Sequence, residues 1–80
     1  MLLVTKHNIQ KVEVGDYVYT ENKWHRVLEQ NHKLYPLPNF IVNDNIGLSV
    51  YTNQYNFNGP YPIYIASTDE EIMQAKLSCN

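Results

Sequence analysis

Val12 and Val14 alternate with Lys11 and Glu13, the two-residue period of a strand with one wet face. Gly15-Asp16 interrupts the alternation. Glycine tolerates positive φ, so the pair reads as a turn or bulge that re-aims the strand. Tyr17-Val18-Tyr19-Thr20 follows, all residues that favour strands. Glu21-Asn22-Lys23 predicts a tight turn, with Asn22 best suited to a left-handed conformation. Trp24 to Leu28 is then the return strand. With the alternation flipped at Gly15, Val14, Val18 and Trp24, joined by Val27 or Leu28, are expected to reach one core. The whole of Lys11 to Leu28 is thus one β-hairpin, and it holds the only Trp.

The remaining pattern is shorter in period but similar in kind. Leu2-Leu3-Val4 predicts a short first strand that closes a barrel or pairs at an edge. Lys6 to Gln10 is polar except for Ile9 and reads as a link. Glu29 to Lys33 is a polar turn. In Leu34-Tyr35-Pro36-Leu37-Pro38 two prolines remove two backbone donors, which predicts an edge or extended connector. Phe40-Ile41-Val42 and Ile46 to Tyr51 form a second hairpin about a turn at Asn43-Asp44-Asn45, with Gly47 marking a bend. Ile63-Tyr64-Ile65 is a last strand with both Ile inward. Ser67-Thr68-Asp69-Glu70 fits a capping box in which the Ser67 hydroxyl accepts from the Glu70 amide and the Glu70 carboxylate reaches back. Asp69, Glu70 and Glu71 suit the positive end of the helix dipole. A helix over about 68–78 follows, with Ile72, Met73 and Leu77, and Ala75 at the margin, as its apolar side.

The run VGDYVYT, a turn, then KWHRV resembles the opening strands of SH3-like small barrels, where a V-G-D-x-V segment precedes a short loop and an aromatic strand. The resemblance covers about a quarter of the chain. It implies a fold and transfers no functional residue. The expected architecture is mostly β, in the α+β class. It is a single domain over residues 1–80, a small SH3-like antiparallel barrel or curled sheet of five or six short strands with a C-terminal helix.

Composition narrows the function classes. Eighty residues make one domain with a small core. The charged fraction is 18%, below the usual quarter, and ten Asn carry much of the polar surface beside seven Tyr. That Asn- and Tyr-rich, Ala-poor style is common in AT-rich genomes and looks like a small accessory protein of a phage or other mobile element. Residues 1–40 hold five cations against four carboxylates, and residues 41–80 one against four. Neither half has the basic patch that drives strong phosphate-backbone binding, nor the dense acidity of a DNA mimic. The single Cys79 allows no intrachain disulfide. Met1 to Val4 is too short an apolar run for a signal peptide or membrane helix. The expectation is a cytoplasmic protein, in the host cytoplasm if phage-encoded, with no membrane partner.

No catalytic set is legible. His7, His25, His32 and Cys79 are in no metal-ligand spacing, and nothing implies a metal or another cofactor. Cys79 sits in a tail expected to fray, and Ser49, Ser67 and Ser78 lack a nucleophile-elbow context. His25, Arg26 and His32 beside Tyr17 and Tyr19 could in principle cleave RNA by acid–base chemistry, but ordinary surface polarity explains them more simply. Thr52 to Pro62, TNQYNFNGPYP, has no regular period and mixes amides with rings, the chemistry of recognition surfaces. The expected function is a non-catalytic binding module that occupies a host or defence protein. Its contact residues are Tyr55, Phe57, Asn58 and Tyr61 from this loop and Tyr17, Tyr19 and Arg26 from the hairpin. For Phe57 a cap on the open end of the barrel is the better-favoured role, and for Tyr55 and Tyr61 contact with a partner. Two alternatives stay open: a nucleotide or cyclic-nucleotide sequestering protein, with tyrosines stacked on the base and Arg26 or Lys33 on phosphate, and a small ribonuclease-like toxin. A homodimer is compatible with all three.

Overall fold

The computed structural model describes residues 1–31, 39–44, 47–52 and 62–79. The strands are β1 (Leu2–Leu3), β2 (Tyr17–Thr20), β3 (Lys23–Gln30), β4 (Asn39–Asp44), β5 (Gly47–Thr52) and β6 (Tyr64–Ile65), and they precede helix α1 (Asp69–Cys79). All pairings are antiparallel, in the order β1-β6-β2-β3-β4-β5. The class is therefore mostly β, α+β, as expected. Strands β1 and β5 are the two ends of the sheet, and no pairing joins them among the described residues. The Pro36–Pro38 connector and the loop that carries Tyr55, Phe57, Asn58 and Tyr61 lie outside the described residues, as does His32.

The organising hairpin forms with a tighter turn than expected. Glu21 and Asn22 alone make it, at φ 54° and 64°, and Thr20 pairs with Lys23. Two consecutive left-handed residues twist the turn in the sense of the flanking strands. Asn22 is well suited to this; Glu21 is not, and adopts it because the pairing on either side fixes the loop at two residues.

The segment before β2 differs from its expectation. Val12 and Val14 do not lie in a strand. Ile9–Lys11 is a 3₁₀ turn, and Glu13 to Asp16 is a tight turn closed by the Asp16 amide donating to the Glu13 carbonyl at 3.1 Å. Gly15, at φ 95°, donates to the Val27 carbonyl at 3.0 Å, while the Val27 amide donates to the Asp16 carbonyl at 2.8 Å. Two residues thus oppose Val27, the geometry of a glycine-dependent bulge. The turn swings Val14 outward, where it is 59% exposed, while Val12 and Ile9 enter the core.

The core comprises Val4, Ile9, Val12, Val18, Val27, Phe40, Val42 and Ile63, with Ile65 packed against it. Ile9, read as an exception in a polar link, is completely buried. Trp24 and Leu28 are not core residues. Trp24 has the opposite strand parity from Val27, and Leu28 falls where the β3–β4 register shifts between Val27 and Glu29. In the second hairpin Asn43 and Asp44 belong to β4, and Asp44 pairs with Gly47. The expected turn residues Asn43 and Asp44 are thus strand residues, and Gly47, expected at a bend, is the first residue of β5.

Helix α1 starts one residue later than expected. Thr68, not Ser67, is its cap: the Thr68 Oγ1 accepts from the Glu71 amide at 3.2 Å. Glu71 Oε1 in turn accepts from the amides of Ser67 at 3.1 Å and Thr68 at 3.2 Å. This is a capping box shifted by one position. Glu71 prevails over Glu70 because its second oxygen also accepts from the Met1 ammonium at 2.6 Å. That ammonium, then the Ser67 amide, hold the Glu71 carboxyl at about 2, below its ordinary 4.5.

The helix also docks by a different side. Ala75 is fully buried, whereas Met73 and Leu77 are 65% and 75% exposed. At 100° per residue each stands about 160° from Ala75, so they project away from the sheet. Met73 and Leu77 are larger and more apolar than Ala75. The small side chain wins because it lets the helix approach the sheet closely.

Candidate functional site

The antiparallel register sorts the first four strands of the sheet into two faces, since directly opposed residues point the same way. Val18 opposes His25 and Ile65, and this row faces the core. Tyr19 opposes Trp24 on one side and Tyr64 on the other, and Tyr64 opposes Leu3. Leu3, Tyr64, Tyr19 and Trp24 thus form one row across β1, β6, β2 and β3. Tyr17 opposes Arg26 one step along the same face.

Helix α1 packs against β2 and β3. The core cluster fills the Val18–Val27 face of those strands and does not include Ala75. The face left for the helix is the aromatic one. Two contacts agree with this placement. The Met1 ammonium, on the Leu3 side of β1, meets Glu71 in the first helical turn. At the other end Cys79 lies within electrostatic reach of Arg26 and Lys23. Partial burial pushes the Cys79 thiol up, against the pull of those two cations. Cys79 is the last residue of α1.

The rings remain half-open. Tyr17, Tyr19, Trp24 and Tyr64 are each partly exposed, and Arg26 is exposed. Tyr19 and Trp24 meet edge to face, with ring centroids 5.1 Å apart and planes inclined at 68°. Such a pair is worth roughly 0.5–1.5 kcal/mol beyond its buried area and fixes both rings. The arrangement is an aromatic row with an arginine at a neighbouring position of the same face. It can offer broad apolar contact, ring stacking and a single anion contact.

The structure therefore brings together three of the residues singled out in the sequence, Tyr17, Tyr19 and Arg26. Sequence reading missed two further members, Trp24 and Tyr64. Trp24 was placed in the core although its strand parity matches Arg26, a signal available without coordinates. Tyr64 joins only through the β6–β2 pairing, which no local pattern announces.

His25 and Arg26 do not share a site. Adjacent strand residues point to opposite faces. His25 is buried, and its Nε2 has no hydrogen-bond partner among the described residues. Among the described residues no group of three His, Cys, Asp or Glu could hold a metal ion, and no helix is long and apolar enough to cross a membrane.

No family model, curated protein or solved structure matches the chain.

Proposed function

We propose that this chain is a non-catalytic binding module whose contact surface is the aromatic face of the β2–β3 hairpin. The observation that carries this reading is the register. It places Tyr17 opposite Arg26 and Tyr19 opposite Trp24 on one face, half-open to solvent. Tyrosine, tryptophan and arginine dominate the energetics of protein recognition, because they give large contact area at small entropic cost. Tyr55, Phe57, Asn58 and Tyr61 belong to the proposed surface on their chemistry alone. The proposed partner is a host or defence protein, with the chain acting as a phage-type accessory or anti-defence factor in the cytoplasm. In the same proposal the curled sheet is an SH3-like barrel. The test is capture of a partner from the expressing cell by the wild-type chain and by Tyr17→Ala/Arg26→Ala and Tyr55→Ala/Tyr61→Ala variants. Loss of capture by either folded variant supports the surface. Full capture by both overturns it.

One observation favours a second reading, a nucleotide-sequestering protein. The register pairs Tyr17 with Arg26 on one face, and a tyrosine next to an arginine is the combination that takes a base and a phosphate. Native mass spectrometry of the gently purified protein separates the two readings. A retained small-molecule mass that is lost on denaturation selects the nucleotide. A thermal shift with a nucleotide panel then names it. The ribonuclease reading finds no support in the geometry, because His25 faces the core and Arg26 faces outward.

A further inference from the structure

Among the described residues strand β1 is an edge, and its outward hydrogen-bonding groups can be assigned. The Val4 amide donates to the Ile63 carbonyl at 2.8 Å, so Val4 and Ile63 are a hydrogen-bonded pair. Pairs alternate along an antiparallel ladder. Leu3, opposite Tyr64, is therefore a non-bonded pair whose amide and carbonyl point away from β6. An incoming strand would use these groups and the Thr5 amide beyond them.

Two of the three are already occupied by one side chain. Asn8 Nδ2 donates to the Leu3 carbonyl at 2.9 Å. Asn8 Oδ1 accepts from the Thr5 amide at 2.7 Å. A single carboxamide thus donates to residue i and accepts from residue i+2, as a neighbouring strand does in a ladder. The turn that delivers it is short: the Asn8 and Ile9 amides both donate to the Thr5 carbonyl, at 3.2 and 3.0 Å. Burial of Ile9 in the core anchors the turn.

The edge so covered is short, two residues, and its side chains add little further protection. Proteins blunt edge strands with charge, proline or bulges. The side chains of Met1-Leu2-Leu3-Val4 include no charge and no proline, the Met1 ammonium is taken up by Glu71, and Leu2 and Leu3 are 54% and 46% exposed on opposite faces of the strand. We propose that β1 is a latent strand-addition surface for a second copy of this chain, and that the Asn8 carboxamide holds it shut. The geometry suits a second copy. Two β1 strands related by a two-fold axis at Leu3 would exchange the Leu3 amide and carbonyl reciprocally and cover Leu2 and Leu3 of both copies, an isologous contact. This proposal is independent of what the aromatic face binds.

The test compares solution masses by sedimentation equilibrium. Asn8→Ala frees the Leu3 carbonyl and the Thr5 amide, and its mass should double relative to the wild-type chain in a concentration-dependent way. Adding Leu3→Lys, a charge on the edge, should return it to the wild-type mass. A folded Asn8→Ala variant that keeps the wild-type mass overturns the proposal, as does association that Leu3→Lys does not reverse. Hydrogen exchange on the wild-type chain gives a readout that does not depend on the variant folding. The Thr5 amide should be protected more than its exposed neighbours Lys6 and His7, and a Thr5 amide that exchanges as fast as theirs overturns the plug.

Discussion

The two faces of the β2–β3 hairpin are built from the same strands by opposite means. One face is buried: Val18 and Val27 are completely buried among seven other apolar side chains, Phe40 among them, with Thr20 and His25 buried beside them. The other is aromatic and half-open, covered by a helix that touches it through one fully buried alanine. The buried face gains stability from apolar area removed from water. The aromatic face gains less from burial and more from fixed ring geometry and from what holds the helix in place. A surface of that kind keeps its side chains ordered while leaving them accessible, as a binding face requires.

The comparison can be broken or sharpened by substitution. The largest effect belongs to the buried face: Phe40→Ala should cost roughly 3–5 kcal/mol in urea unfolding, through lost burial and the cavity left behind. If it costs no more than truncation of Tyr17, the faces are not distinct. Next is the helix contact. Ala75→Leu should cost roughly 1–3 kcal/mol by overpacking and should change Trp24 fluorescence, because it pushes the helix off the aromatic face. Leu77→Ser, on the far side of the same helix, should stay within about 0.5 kcal/mol.

The cap that starts the helix comes third. Thr68→Ala should cost about 1 kcal/mol, and Ser67→Ala less. Equal costs would return the cap to Ser67. Glu71 adds a pH dependence whose sign follows from its depressed carboxyl. Its contribution is present above the ordinary value of 4.5 and is lost as pH falls toward about 2. Glu71→Gln should therefore flatten the acid limb of the stability curve in that window. The smallest effect is within the aromatic face: a Tyr19–Trp24 double-mutant cycle should give a coupling of roughly 0.5–1.5 kcal/mol.

Much of this division was legible in the sequence, and the failures have physical causes. The hairpins, the last strand and the helix follow from period-two patterns and capping chemistry. Tyr17 and Tyr19 share a face by alternation alone. Val14 was misplaced because the Gly15 turn both re-aims the chain and adds a residue, and only one consequence can be read from a glycine. Trp24 was assigned to the core by an alternation flipped at Gly15, although its parity is opposite to that of Val27. Met73 and Leu77 were assigned to the docked side on their hydrophobicity, although a helix crossing bulky rings needs a small residue at the contact. Thr68 displaced Ser67 because Glu71 serves the Met1 ammonium, a group 70 positions away. The Asn8 contacts involve a polar residue in a polar link, where composition carries no signal.

The sheet order also sets a sequence of events. Strand β6 sits between β1 and β2, so Leu2–Leu3 has no neighbour until Tyr64–Ile65 is in place. On a ribosome the β2–β3 and β4–β5 hairpins close from local contacts while the first strand waits, because long-range pairings form late. During that interval the first strand is an unpaired apolar segment, and what ends its exposure is the arrival of residues near the other end of the chain.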